Sequence, residues 1–571
     1  MGIIQLKEAN CKSCYRCIRE CPVKSISFKD DQARVMEKEC ILCGKCILIC
    51  PQNAKEVVSD LDKVKSFVGK KDKVYASVAP SFASYFKGWD FSALSSVLKK
   101  LGFLHVEETA VGASKVSKEY ERLLREGKMK NIITSACPSV VLLMEKYYSD
   151  LLDQLAPTVS PMIAHARTMR EVYGTRIKII FIGPCISKKH EADDVFSGGL
   201  VSAAITFEEL KQWMEESGVN PSSAGSEQKN IRNPSARFYP APGGIIRTLS
   251  REDRKSYKCI SVDGVDRCME ILDSIRKGEV SGYFIEMNAC AGGCIGGPCM
   301  RASKISFIRA KDDLIQAARP VKDAPDYATD NVETHLNRTF IDRSVSPELP
   351  DEKAIKKILE SIGKTSPQQE LNCGGCGYNT CRDKAVAVYQ GKADPKMCLP
   401  FVRERAESIS NQIIEYTPNA IIATDKELTI QEINPAALTM LKRDRGSMIG
   451  QPVEMFLPGP DYEQVIHRGR VIRNLKQTYE ALGVTVEQTV IYIKEQQLLF
   501  MILKDITHEE KKQQSIDKVR EETLEVAQKV IDKQMRVAQE IASLLGETTA
   551  ETKIALTRLK KSIVKNTGEG L

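Results

Sequence analysis

No window of this 571-residue chain reaches the ~18 consecutive apolar residues that a membrane-spanning helix needs. The opening Met1-Gly-Ile-Ile-Gln-Leu-Lys has no apolar run of signal-peptide length, so neither a membrane span nor export is expected. Long blocks of one charge are missing as well. The formal net charge of +8 is small for this length and nothing resembles a basic arm, which argues against nucleic acid as a partner. Residues 408–508 contain no cysteine, and from Glu509 onward there is no proline and no histidine. That last region reads as helix without a proline break, and it cannot supply the phospho-acceptor histidine of a kinase.

What the chain has in quantity is cysteine: nineteen, in a composition otherwise ordinary at 42% hydrophobic and 28% charged. The length suffices for about three to five domains. The cysteines cluster at metal-ligand spacings. Without an export signal they point to iron–sulfur chemistry in a reducing, anaerobic cytoplasm rather than to disulfides.

Residues 1–60 carry one pattern twice, Cys11-x2-Cys14-x2-Cys17-x3-Cys21-Pro22 and Cys40-x2-Cys43-x2-Cys46-x3-Cys50-Pro51. This is the run of a two-cluster ferredoxin, in which the fourth cysteine of each set ligates the other cluster. Cys11, Cys14, Cys17 and Cys50 are therefore assigned to one 4Fe-4S cluster, and Cys40, Cys43, Cys46 and Cys21 to the second. Zinc prefers isolated CxxC pairs, so the third cysteine with its proline disfavours it. The expected job is electron relay.

Residues 73–320 alternate short apolar strands (Val74–Val78, Ile132–Ile133, Ile177–Ile182) with amphipathic helices (Phe91–Leu101, Phe207–Glu216), which predicts α/β with parallel strands. Three cysteine stretches fall just after strands, where open α/β sheets bind ligands. They are Thr134-Ser-Ala136-Cys137-Pro, Gly183-Pro-Cys185-Ile-Ser-Lys188-Lys-His-Glu191 and Glu286-Met-Asn288-Ala-Cys290-Ala-Gly-Gly-Cys294-Ile-Gly-Gly-Pro-Cys299. Four thiolates make one cubane site. In this order, behind a ferredoxin motif, the three stretches resemble the signatures of the di-iron (FeFe) hydrogenases. The resemblance implies two lobes around a buried H-cluster: a 4Fe-4S cubane joined through one thiolate to a di-iron unit with CO, cyanide and an azadithiolate bridge. By position it implies Cys137, Cys185, Cys290 and Cys294 as cubane ligands, with Cys294 the bridge. It likewise implies Lys188 as hydrogen-bond donor to a cyanide, Ala79-Pro80-Ser81 as the loop beside the di-iron unit, and Glu191 as a structural partner.

The departures matter as much. Fast hydrogenases have two adjacent cysteines before the proline of the first signature; here the first is Ala136, whose methyl cannot relay protons. Val116 stands where the family has a first relay glutamate, whereas Glu119 keeps the second. Gly183 and Asn288 stand where the family has methionines, and Gly297-Pro298-Cys299 replaces a glycine triplet. Losing one positioned acid–base group commonly costs ~10²–10⁴-fold in rate; another group or water carrying the proton is the alternative. Cys259, Cys268 and Cys299 have no ligand spacing and read as small apolar residues.

Residues 321–350, with Pro325, Pro347 and Pro350 among many charges, read as a linker. Residues 351–405 hold Cys373-x2-Cys376-x4-Cys381-x16-Cys398, a further 4Fe-4S site for which zinc competes. Residues 408–508 resemble a PAS domain on Ile413 to Asp425, on Ile430-x2-Ile433-Asn434-Pro435-Ala-Ala and on Asp505-Ile-Thr507; Asn434-Pro435 reads as a cap followed by an N1 proline. His467 reads as a surface residue rather than a haem ligand. Residues 509–571 place Met535, Ala538, Ala542, Leu545, Thr549, Thr552, Leu556, Leu559 and Ile563 at the spacing of a coiled-coil seam.

The whole is a multidomain α/β and α+β chain. The expectation is a slow, sensory FeFe hydrogenase that exchanges H₂ and protons and signals through its PAS and coiled-coil end. A metabolic ferredoxin-linked hydrogenase and a non-catalytic iron–sulfur scaffold are the alternatives. Expected partners are a ferredoxin or similar redox protein, hydrogenase maturation enzymes, a second copy of the chain, and a separate kinase, phosphatase or regulator. Metal analysis of matured protein should give about 18 irons per chain, from three 4Fe-4S clusters, one more cubane and a di-iron unit; stoichiometric zinc at the Cys373 set would lower that number.

Overall fold

Two parallel sheets carry the middle of the chain. In the computed structural model, which describes all residues except 1, 221–230, 304, 320–325, 346–347, 460–461, 470, 546–549 and 566–571, the first sheet orders its strands His105–Glu108, Val74–Val78, Lys178–Gly183, Ala203–Thr206. All its pairings are parallel. Val74–Val78 is buried at every position, as a strand covered on both faces must be, and hence reads as an unbroken apolar run. The second sheet orders Lys258–Asp263, Tyr283–Asn288, Ile132–Ile133, again parallel. One apolar core packs the first sheet together with Ile132 and Phe284 from one face of the second, and another packs Ile133, Ile285 and Met287 from its opposite face. Helix starts follow local rules. Ser160 caps Pro161–Tyr173 with proline in its first turn, and Thr206 with Glu209 closes a capping box on Phe207–Glu216.

The strand His105–Glu108 escaped the apolar pattern because its two glutamates are buried with partners. Glu107 accepts hydrogen bonds from the ring nitrogens of His105 (2.9 Å) and His165 (3.0 Å) and from the hydroxyls of Thr329 and Tyr173 (both 2.6 Å). Glu108 takes both ends of the Arg237 guanidinium (2.8 and 2.6 Å). Burial alone would push the Glu107 carboxyl up, but the donors outweigh it and hold it well below the usual carboxylate range.

The segment expected as a linker is a packed strap in its described part. Thr329 and Asp330 are buried, Val159 N donates to Leu336 O, and Arg338 and Arg343 pair with Glu191 and Glu145. The charges that read as solvated in sequence are consumed by buried carboxylates. Pro320, Pro325 and Pro347 lie outside the described residues.

The ferredoxin domain, with hairpin Ile26–Lys29 and Gln32–Val35, packs Ile41 and Leu42 into the second of these cores. There Lys146 Nζ donates to Cys40 O at 2.7 Å. Met1–Val402 forms one unit and Arg403–Leu571 another.

The second unit holds a five-stranded antiparallel sheet, in order Ile430–Ile433, Ala420–Thr424, Leu498–Asp505, Val484–Ile493, Ile472–Tyr479. Asn434 caps Pro435–Leu441 as the sequence predicts, and His467 is exposed. The terminal helix runs Thr507–Leu545, followed by Ala550–Lys565. Exposed apolar residues on the longer helix begin at Ile516 and continue through Val519, Val526, Val530, Val537 and Ile541, all on one face at 3.6 residues per turn, whereas Met535 and Ala538 are half-buried. The apolar stripe thus starts about five turns before Met535. Gly546 and Thr549 lie outside the described residues, as do the side chains of Ala542, Leu545 and Ile563. Among the described residues no helix is long and apolar enough to cross a membrane.

Because folding holds the Glu107 carboxyl below its unfolded value, its stabilisation is present above about pH 4 and is lost as pH falls further. Glu107→Gln should cost ~3–5 kcal/mol in denaturant unfolding at neutral pH, and its stability should fall less steeply than the parent's below about pH 4.

Candidate metal centres

Four thiols arrive at one cavity from both sheets. Cys185 follows the strand Lys178–Gly183 of the first sheet. Cys137 precedes the helix Pro138–Tyr147 just after Ile132–Ile133, and Cys290 and Cys294 follow Tyr283–Asn288, both in the second sheet. With Asn288 and Pro298 they line a single cavity. Burial pushes the Cys290 thiol well up, and the neighbouring thiols of Cys185, Cys137 and Cys294 push it further. Burial does the same to Cys294, whose neighbours are Cys185, Cys137 and the opposing Lys188. Four thiols that repel one another as anions in a buried site are a donor set that fits a cluster of positive iron, since only the metal makes the thiolate form favourable there.

Lys188 is buried beside this cavity. Its ammonium donates to Glu191 at 2.6 Å and to the Ala136 carbonyl at 3.5 Å. Glu191 also accepts from Ser160 (2.9 Å) and Arg338 (3.2 Å). Glu191 is thus the structural partner the sequence implied, and Arg338, which the sequence did not single out, comes from the strap. Ala79 N donates to Ile182 O, which seats the Ala79-Pro80-Ser81 loop against the second cysteine stretch. Among the described residues, Ser81 Oγ is fully buried and has no hydrogen-bond partner.

The departures from the family pattern are structurally coupled. A Cβ at Gly183 would meet the Phe181 ring at 2.7 Å and the Ala79 Cβ at 2.9 Å. Phe181 thus fills space that a methionine at 183 would need. Val116 is fully buried. Glu119 is held by Arg122 at 2.5 Å on the outer side of the helix Ala110–Glu126. Asn288 donates to Glu286 at 3.4 Å.

Glu286 is a buried acid the sequence analysis passed over. It accepts backbone N–H bonds from Gly243, Ile245 and Ile246 (2.8–3.0 Å), and burial, opposed by those bonds, pushes it up to about 7. Its position four residues before Cys290, as the one charged residue of an apolar strand, was the available signal.

Twelve of the remaining fifteen cysteines fall in three further sets. Burial pushes Cys17 up to about 11, with Lys55 opposing and Cys11, Cys14 and Cys50 adding to it. Cys21, Cys40, Cys43 and Cys46 line a second cavity. Cys21 thus shares a cavity with Cys40, Cys43 and Cys46. Cys373, Cys376, Cys381 and Cys398 line another cavity with Lys384. Cys268 and Cys299 are buried in the second apolar core, and Cys259 packs at the edge of the first.

Residues 72–298 match the family of the iron only hydrogenase large subunit, C-terminal domain. The chain is FeFe-hydrogenase-like and carries a PAS domain. Around the hydrogenase-like domain, residues 3–51 match a 4Fe-4S dicluster domain, 369–400 an Fe-S cluster family and 410–511 the PAS fold. The periplasmic [Fe] hydrogenase large subunit of Nitratidesulfovibrio vulgaris is 25% identical over 363 residues, covering 52% of this chain and 86% of that one. Iron hydrogenase 1 of Clostridium pasteurianum is 23% identical over 299 residues, 42% of this chain and 52% of its own length. A probable cytosolic Fe-S cluster assembly factor of Drosophila persimilis is 23% identical over 326 residues, 47% of this chain and 66% of that one.

In the hydrogenase-like domain, Glu191→Ala leaves Lys188 and Arg338 buried without their carboxylate. It should cost ~3–5 kcal/mol in thermal or denaturant unfolding, with Glu191→Gln costing less.

Proposed function

We propose that this chain is a low-turnover FeFe hydrogenase that reports H₂ to a regulatory partner. One observation carries the reading: the four cubane thiols and Lys188 converge on one cavity, while the groups that would move protons to it quickly are gone. When bound, a di-iron unit beside the cubane would supply heterolytic H₂ cleavage. The chain's own residues set the rest. Cys137, Cys185, Cys290 and Cys294 would hold the cubane. Lys188, oriented by Glu191, would donate a hydrogen bond to an anionic ligand of the unit. Ser81 supplies one more hydroxyl. Ala136 cannot accept or donate a proton, Val116 blocks the next step, and Phe181 with Gly183 reshapes the lining.

The PAS domain and the apolar face from Ile516 support an output through shape in a homodimer that contacts a separate kinase, phosphatase or regulator in the cytoplasm. A ferredoxin or similar protein is the proposed redox partner, and dedicated maturation enzymes would install the di-iron unit. The likeness to an Fe-S cluster assembly factor favours a second reading, a non-catalytic iron–sulfur scaffold.

Matured protein should show infrared bands of metal-bound CO and cyanide and slow H₂ turnover. Ala136→Cys should raise that turnover by roughly 10- to 100-fold, less than the full value of a positioned acid–base group because Val116 still interrupts the path. Absence of the bands would support the scaffold, and parent turnover at ordinary rates of ~10–10³ per second would support a metabolic enzyme.

A further inference from the structure

The Cys373–Cys398 segment is seated on the ferredoxin domain. Gly377, at φ +92°, lies so close that a Cβ there would come within 3.0 Å of Ile18 Cγ2 and 3.1 Å of Arg19 N. The Lys24 ammonium ties the two parts together, donating to the carbonyls of Ile18 (3.2 Å), Arg19 (2.8 Å) and Gly377 (3.1 Å). Phe28 N donates to Lys392 O at 2.8 Å, and Lys392 pairs with Glu39 at 2.7 Å. Beneath these bonds lies a shared apolar core, with Ile18, Ile26 and Phe28 from one side and Tyr378, Ala387 and Met397 from the other.

Tyr378 occupies the join. It is buried in the same cluster as Cys21, a ligand of the second ferredoxin set, and Cys376, a member of the C-terminal set. Among the described residues its hydroxyl has no hydrogen-bond partner. A tyrosine kept there without a polar role is acting as a packed ring between two cluster sites. On its other side the second ferredoxin set reaches the hydrogenase-like centre, because Cys43 lines both cavities. The hydrogenase-like cavity and the second ferredoxin cavity therefore adjoin at Cys43, and the C-terminal cavity, which Tyr378 lines, meets the ferredoxin domain through the shared core that holds Cys21. Cys398, the last of these ligands, immediately precedes the helix Leu399–Tyr416.

We propose that the second ferredoxin site is a branch point and that the Cys373–Cys398 set takes electrons from it across Tyr378. The C-terminal set is then an electron terminus one residue ahead of the helix that continues toward the PAS domain in sequence. In each transfer one electron passes from the Cys21 side, oxidised by one, to the Cys376 side, reduced by one. No bond forms or breaks and no proton moves. The electrons come from H₂ under the reading above, on which the proposal rests only for its physiological source; dithionite serves in the test.

The full-length chain is prepared with its 4Fe-4S clusters but without maturation enzymes, so that H₂ chemistry plays no part. After dithionite reduction, electron paramagnetic resonance should show the C-terminal cluster magnetically coupled to a ferredoxin cluster, and Cys376→Ser should remove that coupling while leaving the ferredoxin signals. On freeze-quenching, Tyr378→Ala should delay reduction of the C-terminal cluster relative to the ferredoxin clusters, and Tyr378→Phe should reduce like the parent. Should Tyr378→Ala lose iron, coupling in the parent decides. Uncoupled signals, undelayed filling in Tyr378→Ala, or zinc in place of iron at the C-terminal set would overturn the proposal. Protein that shows the coupling yet, once matured, never takes electrons from H₂ would keep it and overturn the hydrogenase reading.

Discussion

Bringing four thiols of like developing charge into one buried cavity is the constraint that organises the first unit. Burial pushes the thiols of Cys137, Cys290 and Cys294 up, and neighbouring thiols add to the cost. Such a set is retained only if a cationic cluster makes the thiolates favourable and if the backbone fixes their positions without help from the metal. Two parallel sheets answer the second need. Each delivers its cysteines from the carboxyl ends of rigid strands, one from the first sheet and three from the second. The buried acids follow from the same arrangement. Glu107 and Glu191 stitch strand, helix and strap together around the centre, where an unpaired carboxylate would be costly.

On the proposed reading the centre keeps its four thiols while Ala136 and Val116 stand where proton-carrying groups would act, and the two features are physically separable. Thiol positions depend on strand ends and tight glycine turns. On that reading proton delivery would depend on single side chains along one path, so Ala136 and Val116 would interrupt it without disturbing the cavity. Phe181 and Gly183 show the lining adjusting as a pair, since the ring of one takes the volume a side chain on the other would occupy.

Much of this was legible in the chain. The strands Val74–Val78 and Ala420–Thr424, the helix Phe207–Glu216 and the Asn434 cap fall where periodicity and capping chemistry put them. Hydrophobic patterning missed His105–Glu108, because its burial is sustained by partners distant in sequence. It read the strap as a linker for the same reason: Arg338 and Arg343 look solvated until Glu191 and Glu145 are placed beside them.

The sequence by itself determined the ligand inventory, since thiol spacing within a motif is set by a few residues of local backbone. Only the tertiary structure decided which cavities adjoin. That Cys43 faces two sites, that Tyr378 lies between Cys21 and Cys376, and that Arg338 reaches Glu191 depend on how separate segments pack. Such packing is fixed by shape and by charge pairing between residues far apart in the chain, which no local spacing encodes.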